Sequence, residues 1–241
     1  MKISFKETTK KYINHFKLNK VLECINEEES KIYFIGGSTR SIILDKLNNL
    51  DIDLVVPEIN QKTIDSLANE FEIKINYSYK NLSFKIDNLD IQISSFRKDL
   101  INYGRQSKIT STQSIEDDSL RRDLTINSIY INCKGQLTDF YCGRKDLLNS
   151  KLKFILDPIK TIQQDYLRAI RYIRFMSLFK NPKTDLSDIE ALKFLSKNIK
   201  DFVKPNKIKN ELSKIYNMEF PNNSLDFIKK NKDLFFLKEY L

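Results

Sequence analysis

The chain has 241 residues, with 41 Lys and Arg against 32 Asp and Glu, for a formal net charge of +9. Hydrophobic residues make up 41%, enough for a buried core, and the low Gly and Pro counts (5 each) exclude a collagenous or low-complexity chain. No run of about 18 uncharged apolar residues exists, so no membrane-spanning helix is expected.

The N-terminal MKISFKETTKKYINHF lacks the apolar stretch of a secretory leader. Three cysteines (Cys24, Cys133, Cys142) form no CxxC pair, which fits reduced thiols and a cytoplasmic protein. The single histidine, His15, falls in a helical stretch. Serine and cysteine triads and His-rich zinc sites thereby lose their support, and catalysis must rest on carboxylates, cations and backbone. Residues 1–150 carry 22 basic and 21 acidic side chains, whereas 151–241 carry 19 and 11. That asymmetry fits chemistry in the first part and a polyanion grip in the second, though a lysine-rich solvated surface explains it equally.

In chain order, residues 8–28 read as one amphipathic helix with Tyr12, Phe16, Val21 and Leu22 on its apolar side. Lys31–Ile35 is a short buried strand ending at Gly36-Gly37. A helix follows, with Ser38 as its cap and Ile42, Ile43 and Leu47 inward. Residues 51–56 form a second strand closed by Pro57, residues 61–71 a helix, and residues 72–95 an antiparallel meander. The polar stretch 97–119 is expected to be a mobile loop, followed by a strand at 127–132 and a turn at Gly135. From about 160 the pattern is helical, broken near Pro182, Pro205 and Pro221. The expected class is α+β, with strands in the first 155 residues and an all-helical, basic remainder.

Asp51 and Asp53 lie two apart on a strand, so both carboxylates project from one face. Two such charges repel unless a cation lies between them; Mg²⁺ ions held there can activate an attacking hydroxyl and stabilise a leaving oxygen at phosphorus. A lone DxD is common on solvated edges. Upstream, however, Gly37 ends a strand and opens a helix with Arg40 in its first turn, an arrangement suited to phosphate. Arg121-Arg122 precedes a strand and reads either as a surface pair or, at Arg122, as a triphosphate or ribose contact. Asp165, Arg168, Arg171 and Arg174 recur every three residues, a slanting stripe on a helix and, taken alone, an ordinary amphipathic surface.

Four ordered motifs resemble the class II tRNA nucleotidyltransferase and bacterial poly(A) polymerase family. IGGSTR followed by DIDLVV resembles G-G-x-x-R…D-x-D, RRDLTINSI resembles R-R-D-F-T-I-N-A, and DFYCGRKDLLN resembles D-P-x-x-G-x-x-D-L. QDYLRAIRYIRF resembles E-D-x-x-R-x-x-R-x-x-R-F. The resemblance implies a polymerase-β-like nucleotidyltransferase head with a mixed five-stranded sheet over 1–140. A helical neck with a shortened body, binding RNA, would occupy 141–241. It implies Mg²⁺ on Asp51 and Asp53 as the catalytic pair, and triphosphate and sugar contacts from Gly37, Arg40 and Arg122. Asp165 and Arg168 would read the base, with Arg171 and Arg174 as further nucleotide contacts. An aspartate acceptor and a guanidinium donor can imitate Watson–Crick pairing with C or A. The implied activity is addition of CCA to tRNA from CTP and ATP. The alternatives are a CC-adding, A-adding or poly(A)-forming relative, or a non-catalytic RNA-binding protein of the same fold.

Departures from the family pattern are Gln164 for the usual Glu, Ser41 for Asp, Tyr103-Gly104-Arg105 for D-G-R, and Gln92 where Glu is common. Asp90 shares the strand face of Gln92 as a weaker third carboxylate. Members usually continue into body and tail modules that hold tRNA. With residues 179–241 alone beyond the neck, the basic charge there, or a second subunit in a homo-oligomer, is expected to supply that grip.

Overall fold

A computed structural model describes residues 4–25, 27–48, 51–99 and 109–241. These form two compact units. The first holds the described residues up to 99 together with 109–122 and 127–144; the second holds 123–126 and 145–241.

The first unit begins with α1 (Lys6–His15) and α2 (Asn19–Ile25), then β1 (Tyr33–Phe34), α3 (Gly36–Leu44), β2 (Asp51–Val56) and α4 (Gln61–Glu70). Next come β3 (Lys74–Asn76), β4 (Asn81–Ile86), β5 (Leu89–Ser95), β6 (Arg97–Asp99), β7 (Ile109–Ser111), α5 (Ile115–Leu120), β8 (Ile129–Asn132) and β9 (Leu137–Asp139). The main sheet runs β3-β4-β5-β2-β1-β8-β9. Only β2 and β5 pair in parallel, so the sheet is mixed as expected. It has seven strands rather than five, because short arms extend both edges. β3 adds beside β4, and β9 returns from β8 through a turn at Gly135, where φ is +78°. A Cβ at Gly135 would come within 2.5 Å of the Lys6 backbone, so only glycine fits that turn.

Period-two alternation maps directly onto burial. Leu82, Phe84, Ile91 and Ile93 are buried, whereas Ser83, Lys85, Asp90 and Gln92 are exposed. β2 is internal: Ile52 is buried and, after the half-buried Asp53, Leu54, Val55 and Val56 are covered in a row. Tyr12 of α1, Val21 of α2 and Leu18 between the two helices complete this core. The single helix expected over 8–28 is therefore two. Lys17 takes a left-handed φ of 52°, and the Leu18 N–H reaches back to the Ile13 carbonyl at 3.0 Å, a C-terminal closure that turns both apolar faces inward.

The described residues of the stretch 97–119, expected to be a mobile loop, instead include the antiparallel β6–β7 pair and most of α5. The Ser114 side chain caps α5 by accepting the Asp117 N–H at 3.2 Å. Tyr103, Gly104 and Arg105 lie outside the described residues.

From residue 143 onward the chain forms α6 (Gly143–Leu148), β10 (Lys151–Leu152), α7 (Pro158–Gln164), α8 (Leu167–Phe175), β11 (Lys183–Thr184) and α9 (Leu186–Phe194). α10 (Ser196–Phe202), α11 (Pro205–Ser213) and α12 (Pro221–Lys230) follow, and a 3₁₀ stretch spans Lys232–Tyr240. The second part is thus not wholly helical: β10 and β11 pair in parallel, helped by the Lys183 N–H donating to the Ser150 carbonyl at 2.8 Å. Pro205 and Pro221 open helices, positions where a missing N–H costs nothing. Among the described residues no helix is long and apolar enough to cross a membrane.

Candidate active site

β2 presents Asp51 exposed and Asp53 half-buried, with Ile52 between them facing the core. Parallel pairing sets Asp51 opposite Asp90 and Asp53 opposite Gln92 on β5, so all four polar side chains leave one face of the sheet. Asp90 is engaged with Lys85 at 3.2 Å. Asp53 is fixed from the other side by α3. The Ile35 N–H donates to the Asp53 carbonyl at 3.1 Å, and the Asp53 N–H donates to the Ser38 hydroxyl at 3.0 Å. Gly36 opens the helix at φ +57°, and a Cβ there would meet Asp53 Oδ2 at 3.2 Å. The helix therefore starts at Gly36, two residues before the expected cap. Ser38 is fully buried and serves the strand instead of the helix terminus.

Gly37 lies in the first turn of α3, and Arg40, half-buried, donates to the Asn127 side-chain oxygen. Gly36, Ser38 and Asn127 receive no site role from the sequence, although Gly36 and Asn127 fall inside the G-G-x-x-R and R-R-D-F-T-I-N-A matches and Ser38 reads there only as a helix cap.

Arg122 belongs to a buried cluster around Asp118, a residue 0% exposed. Asp118 Oδ2 accepts from the Arg122 guanidinium at 2.9 Å and the Tyr130 hydroxyl at 2.6 Å. Its Oδ1 accepts Arg121 Nε at 2.9 Å and the Arg97 backbone N–H at 3.2 Å. Burial alone would raise the Asp118 carboxyl, but the Arg122 and Arg121 charges and the Tyr130 hydroxyl hold it far below its ordinary range. Arg121 is lowered to about 10 by burial and by the neighbouring Arg122 charge. For Arg122, burial opposes the charge, yet the Tyr130 and Asp118 oxygens outweigh it and hold the guanidinium protonated above its usual range. The arginine pair is therefore an interior assembly, not a surface pair.

In the motif around 139–149, the Asp139 carboxylate accepts the N–H groups of Gly143 at 2.8 Å and Arg144 at 2.9 Å. It closes the turn that starts α6.

In the second unit, Asp165 is not on the arginine helix. The chain is extended at Asp165 (φ −153°), between α7 and α8, and its exposed carboxylate accepts the Leu167 N–H at 3.0 Å. Aspartate satisfies a free N–H at a helix start better than it sits within a helix, so the four-residue stripe breaks there. Arg168 is 8% exposed and donates to Gln164 Oε1 at 2.8 Å and the Thr161 carbonyl at 3.3 Å. Gln164, standing where the family usually has Glu, thus removes a charge but still supplies an acceptor. Arg171 pairs with Asp123 at 2.5 Å and Arg174 with Glu211 at 2.5 Å. The Asp123 charge holds the Arg171 guanidinium above its usual range despite burial. Burial lowers Arg174 in spite of Glu211.

A profile of the family described as "Poly A polymerase head domain" matches residues 32–153, which include β1, α3, β2 and the Arg121-Arg122 motif. The chain belongs to that family. The class II tRNA nucleotidyltransferase and poly(A) polymerase grouping suggested by the motifs is the one found. The CCA-adding enzyme of Lactobacillus helveticus (strain DPC 4571) is 28% identical over 160 residues, covering 66% of this chain and 40% of its own length. The human mitochondrial CCA tRNA nucleotidyltransferase 1 is 28% identical over 186 residues, covering 76% and 42%. The apo form II structure of a CCA-adding enzyme superposes with a TM-score of 0.78 at 22% identity, over 96% of this chain and 56% of that one. The first unit accordingly has the nucleotidyltransferase head fold. This family member spans about two-fifths of the length of the curated relatives it matches.

Proposed function

We propose that the chain is a template-independent RNA nucleotidyltransferase that adds C, C and A to tRNA 3′ ends from CTP and ATP with Mg²⁺. The observation that carries this reading is the Asp51–Asp53 pair on β2, with the Gly36 turn of α3 pressed against the Asp53 carboxylate, in a chain of this family. The relatives named as CCA-adding enzymes direct the choice of RNA and nucleotides.

The donor set suits the metal. Mg²⁺ prefers hard oxygens and is usually held by one or two carboxylates plus substrate phosphates. Two carboxylates on one strand face fit that pattern, and Asp51 and Asp53 would hold the ion. When bound, Mg²⁺ supplies Lewis acidity that favours the deprotonated 3′-hydroxyl and neutralises charge on the departing pyrophosphate. The chain's own part is positioning. Gly37 and the free N–H groups of the first turn of α3 would receive phosphate, and Arg40 and Arg122 would add charge to the triphosphate and sugar. The RNA 3′-oxygen then forms its bond to the α-phosphorus as the bond to the β-phosphate oxygen breaks.

Asp165 and Arg168 would select the base, with Arg171 and Arg174 as supporting cations. Residues 141–241, the expected neck and shortened body, would grip the RNA through phosphate contacts. The test is incorporation on tRNA transcripts ending at the discriminator base, at C and at CC, each with Mg²⁺ and CTP, ATP or both. Growth by C, C and A followed by a stop supports the reading. Halting at CC, activity only on CC ends, or A-tails would replace it with a restricted-output enzyme. Absence of incorporation on all three would overturn it.

A further inference from the structure

Asp118 has no role in the chemistry proposed above, yet its carboxylate is saturated with partners. It is fully buried, and its two oxygens accept four groups from different parts of the first unit. Oδ2 is shared by the Arg122 guanidinium and the Tyr130 hydroxyl of β8, and the Arg122 cation lies 5.8 Å from the centre of the Tyr130 ring. Oδ1 ties Arg121 to the backbone N–H of Arg97, the first residue of the β6–β7 pair. Tyr130 is itself held among Ile35, Val55 and Phe96, so the anchor is rigid.

A buried carboxylate is costly unless it is paired and saturated with hydrogen bonds. Here the cost is met by groups whose orientation the carboxylate dictates. The Arg122 Nε has no hydrogen-bond partner, so the guanidinium is fixed through its NH2 end by Asp118. A side chain that long otherwise samples many rotamers, and holding one geometry lowers the entropy lost on meeting a ligand.

We infer that Asp118 is a positioning residue: it holds Arg122 for the nucleotide and locks that arginine to the root of the β6–β7 pair. The inference rests on the nucleotide-binding reading of Arg122. It differs from a purely structural role in one respect. Asp118 acts on the nucleotide through Arg122 alone, and it acts on CTP and ATP alike because the triphosphate and sugar are common to both.

The experiment measures equilibrium binding of CTP and of ATP, with Mg²⁺, to the full chain. The variants are Asp118→Asn, Tyr130→Phe, Arg122→Ala and the double variant Asp118→Asn/Arg122→Ala, each checked for a cooperative thermal transition. Removing a hydrogen bond to a charged group predicts a loss of about 10- to 100-fold in affinity for Asp118→Asn, equal for the two nucleotides. Tyr130→Phe, which keeps Asp118 and its arginines, should show a smaller loss in the same direction. The double variant should bind no more weakly than Arg122→Ala alone. Wild-type affinity in folded Asp118→Asn and Tyr130→Phe overturns the inference while leaving the nucleotide reading intact. So does a double variant whose losses simply add. A wild-type chain that binds neither nucleotide overturns both.

Discussion

The Ser38 hydroxyl accepts the backbone N–H of Asp53 at 3.0 Å, which makes the first turn of α3 and the carboxylate-bearing strand one hydrogen-bonded unit. The Ile35 N–H closes the same unit on the Asp53 carbonyl. The position of the carboxylate is thus set by the turn that would receive phosphate. Ser38→Ala leaves the Asp53 N–H without this acceptor beneath a buried helix, at a cost of about 1–3 kcal/mol. Thermal denaturation should show the lower stability, and incorporation should fall further than stability alone explains. An active variant with an unchanged melting temperature would remove Ser38 from the site.

Gly36→Ala tests the same junction sterically. The backbone at φ +57° disfavours any Cβ by about 1–2 kcal/mol, and the added methyl would crowd Asp53 Oδ2 at 3.2 Å. The expected result is a folded protein with strongly reduced incorporation that excess Mg²⁺ only partly restores.

Replacing both Asp51 and Asp53 by Ala should reduce incorporation to background while RNA retention in a gel-shift assay stays close to wild type. Both side chains leave the face of β2 opposite Ile52 and Leu54, Asp51 exposed and Asp53 half-buried, so the core formed by those two residues is untouched. Retained incorporation would mean that the metal is held elsewhere.

How far the sequence discloses this arrangement depends on the range of the interaction. The shared face of Asp51 and Asp53 follows from strand periodicity, and the buried partners Leu82, Phe84, Ile91 and Ile93 follow from the same alternation. The start of α3 does not, because a positive φ at Gly36 is chosen by packing against Asp53, seventeen positions later in the chain. Asp118 is hidden for a similar reason. Lying in a run of Glu116, Asp117 and Asp118 within a stretch that reads as a polar loop, it is not distinguished from its neighbours, and two of the groups that saturate it, Tyr130 and Arg97, are distant in the chain. The break at Asp165 has no Pro or Gly to announce it, so a three-residue period passes for one continuous helix.

Arg168→Ala should alter the ratio of CTP to ATP use at least about tenfold, because a site built to hydrogen-bond one base edge discriminates through those bonds. Gln164→Ala, which removes the acceptor 2.8 Å from the Arg168 guanidinium, should shift the ratio in the same direction by less. Single-turnover incorporation with each nucleotide measures both. An unchanged ratio in Arg168→Ala would take base selection away from α8.

Glu211 accepts Arg174 at 2.5 Å and Lys214 at 3.0 Å, and only 5% of its side chain is exposed. Burial would raise its carboxyl, but the Arg174, Arg171 and Lys214 charges bring it below the ordinary 4.5. The pair therefore contributes stability that is present above about pH 4.5 and is lost as pH falls through the lower folded value. Glu211→Ala leaves Arg174 buried without its partner and should cost about 3–5 kcal/mol at pH 7. Glu211→Gln should cost less and weaken the acid dependence of the second unit in urea titrations. An identical acid profile in Glu211→Gln would show that the carboxylate is not the titrating group.

Asp188 runs the other way. It is 2% exposed in the first turn of α9 and accepts the Phe154 N–H at 3.3 Å. Burial raises its carboxyl to about 6; the Phe154 N–H, the Tyr172 hydroxyl and Lys153 pull it down, while Asp185 adds to the rise. The folded state therefore binds this proton more tightly than the unfolded chain, whose value is near 3.8. Ionised Asp188 costs stability above about pH 6, on the order of 3 kcal/mol, and the cost is relieved as pH falls toward 4. Asp188→Asn keeps an oxygen for Phe154 and removes the titration. It should gain stability relative to wild type at pH 7.5, and that advantage should shrink at pH 5. Denaturant midpoints at the two pH values give the comparison, and a pH-independent difference would show that burial does not perturb this carboxyl.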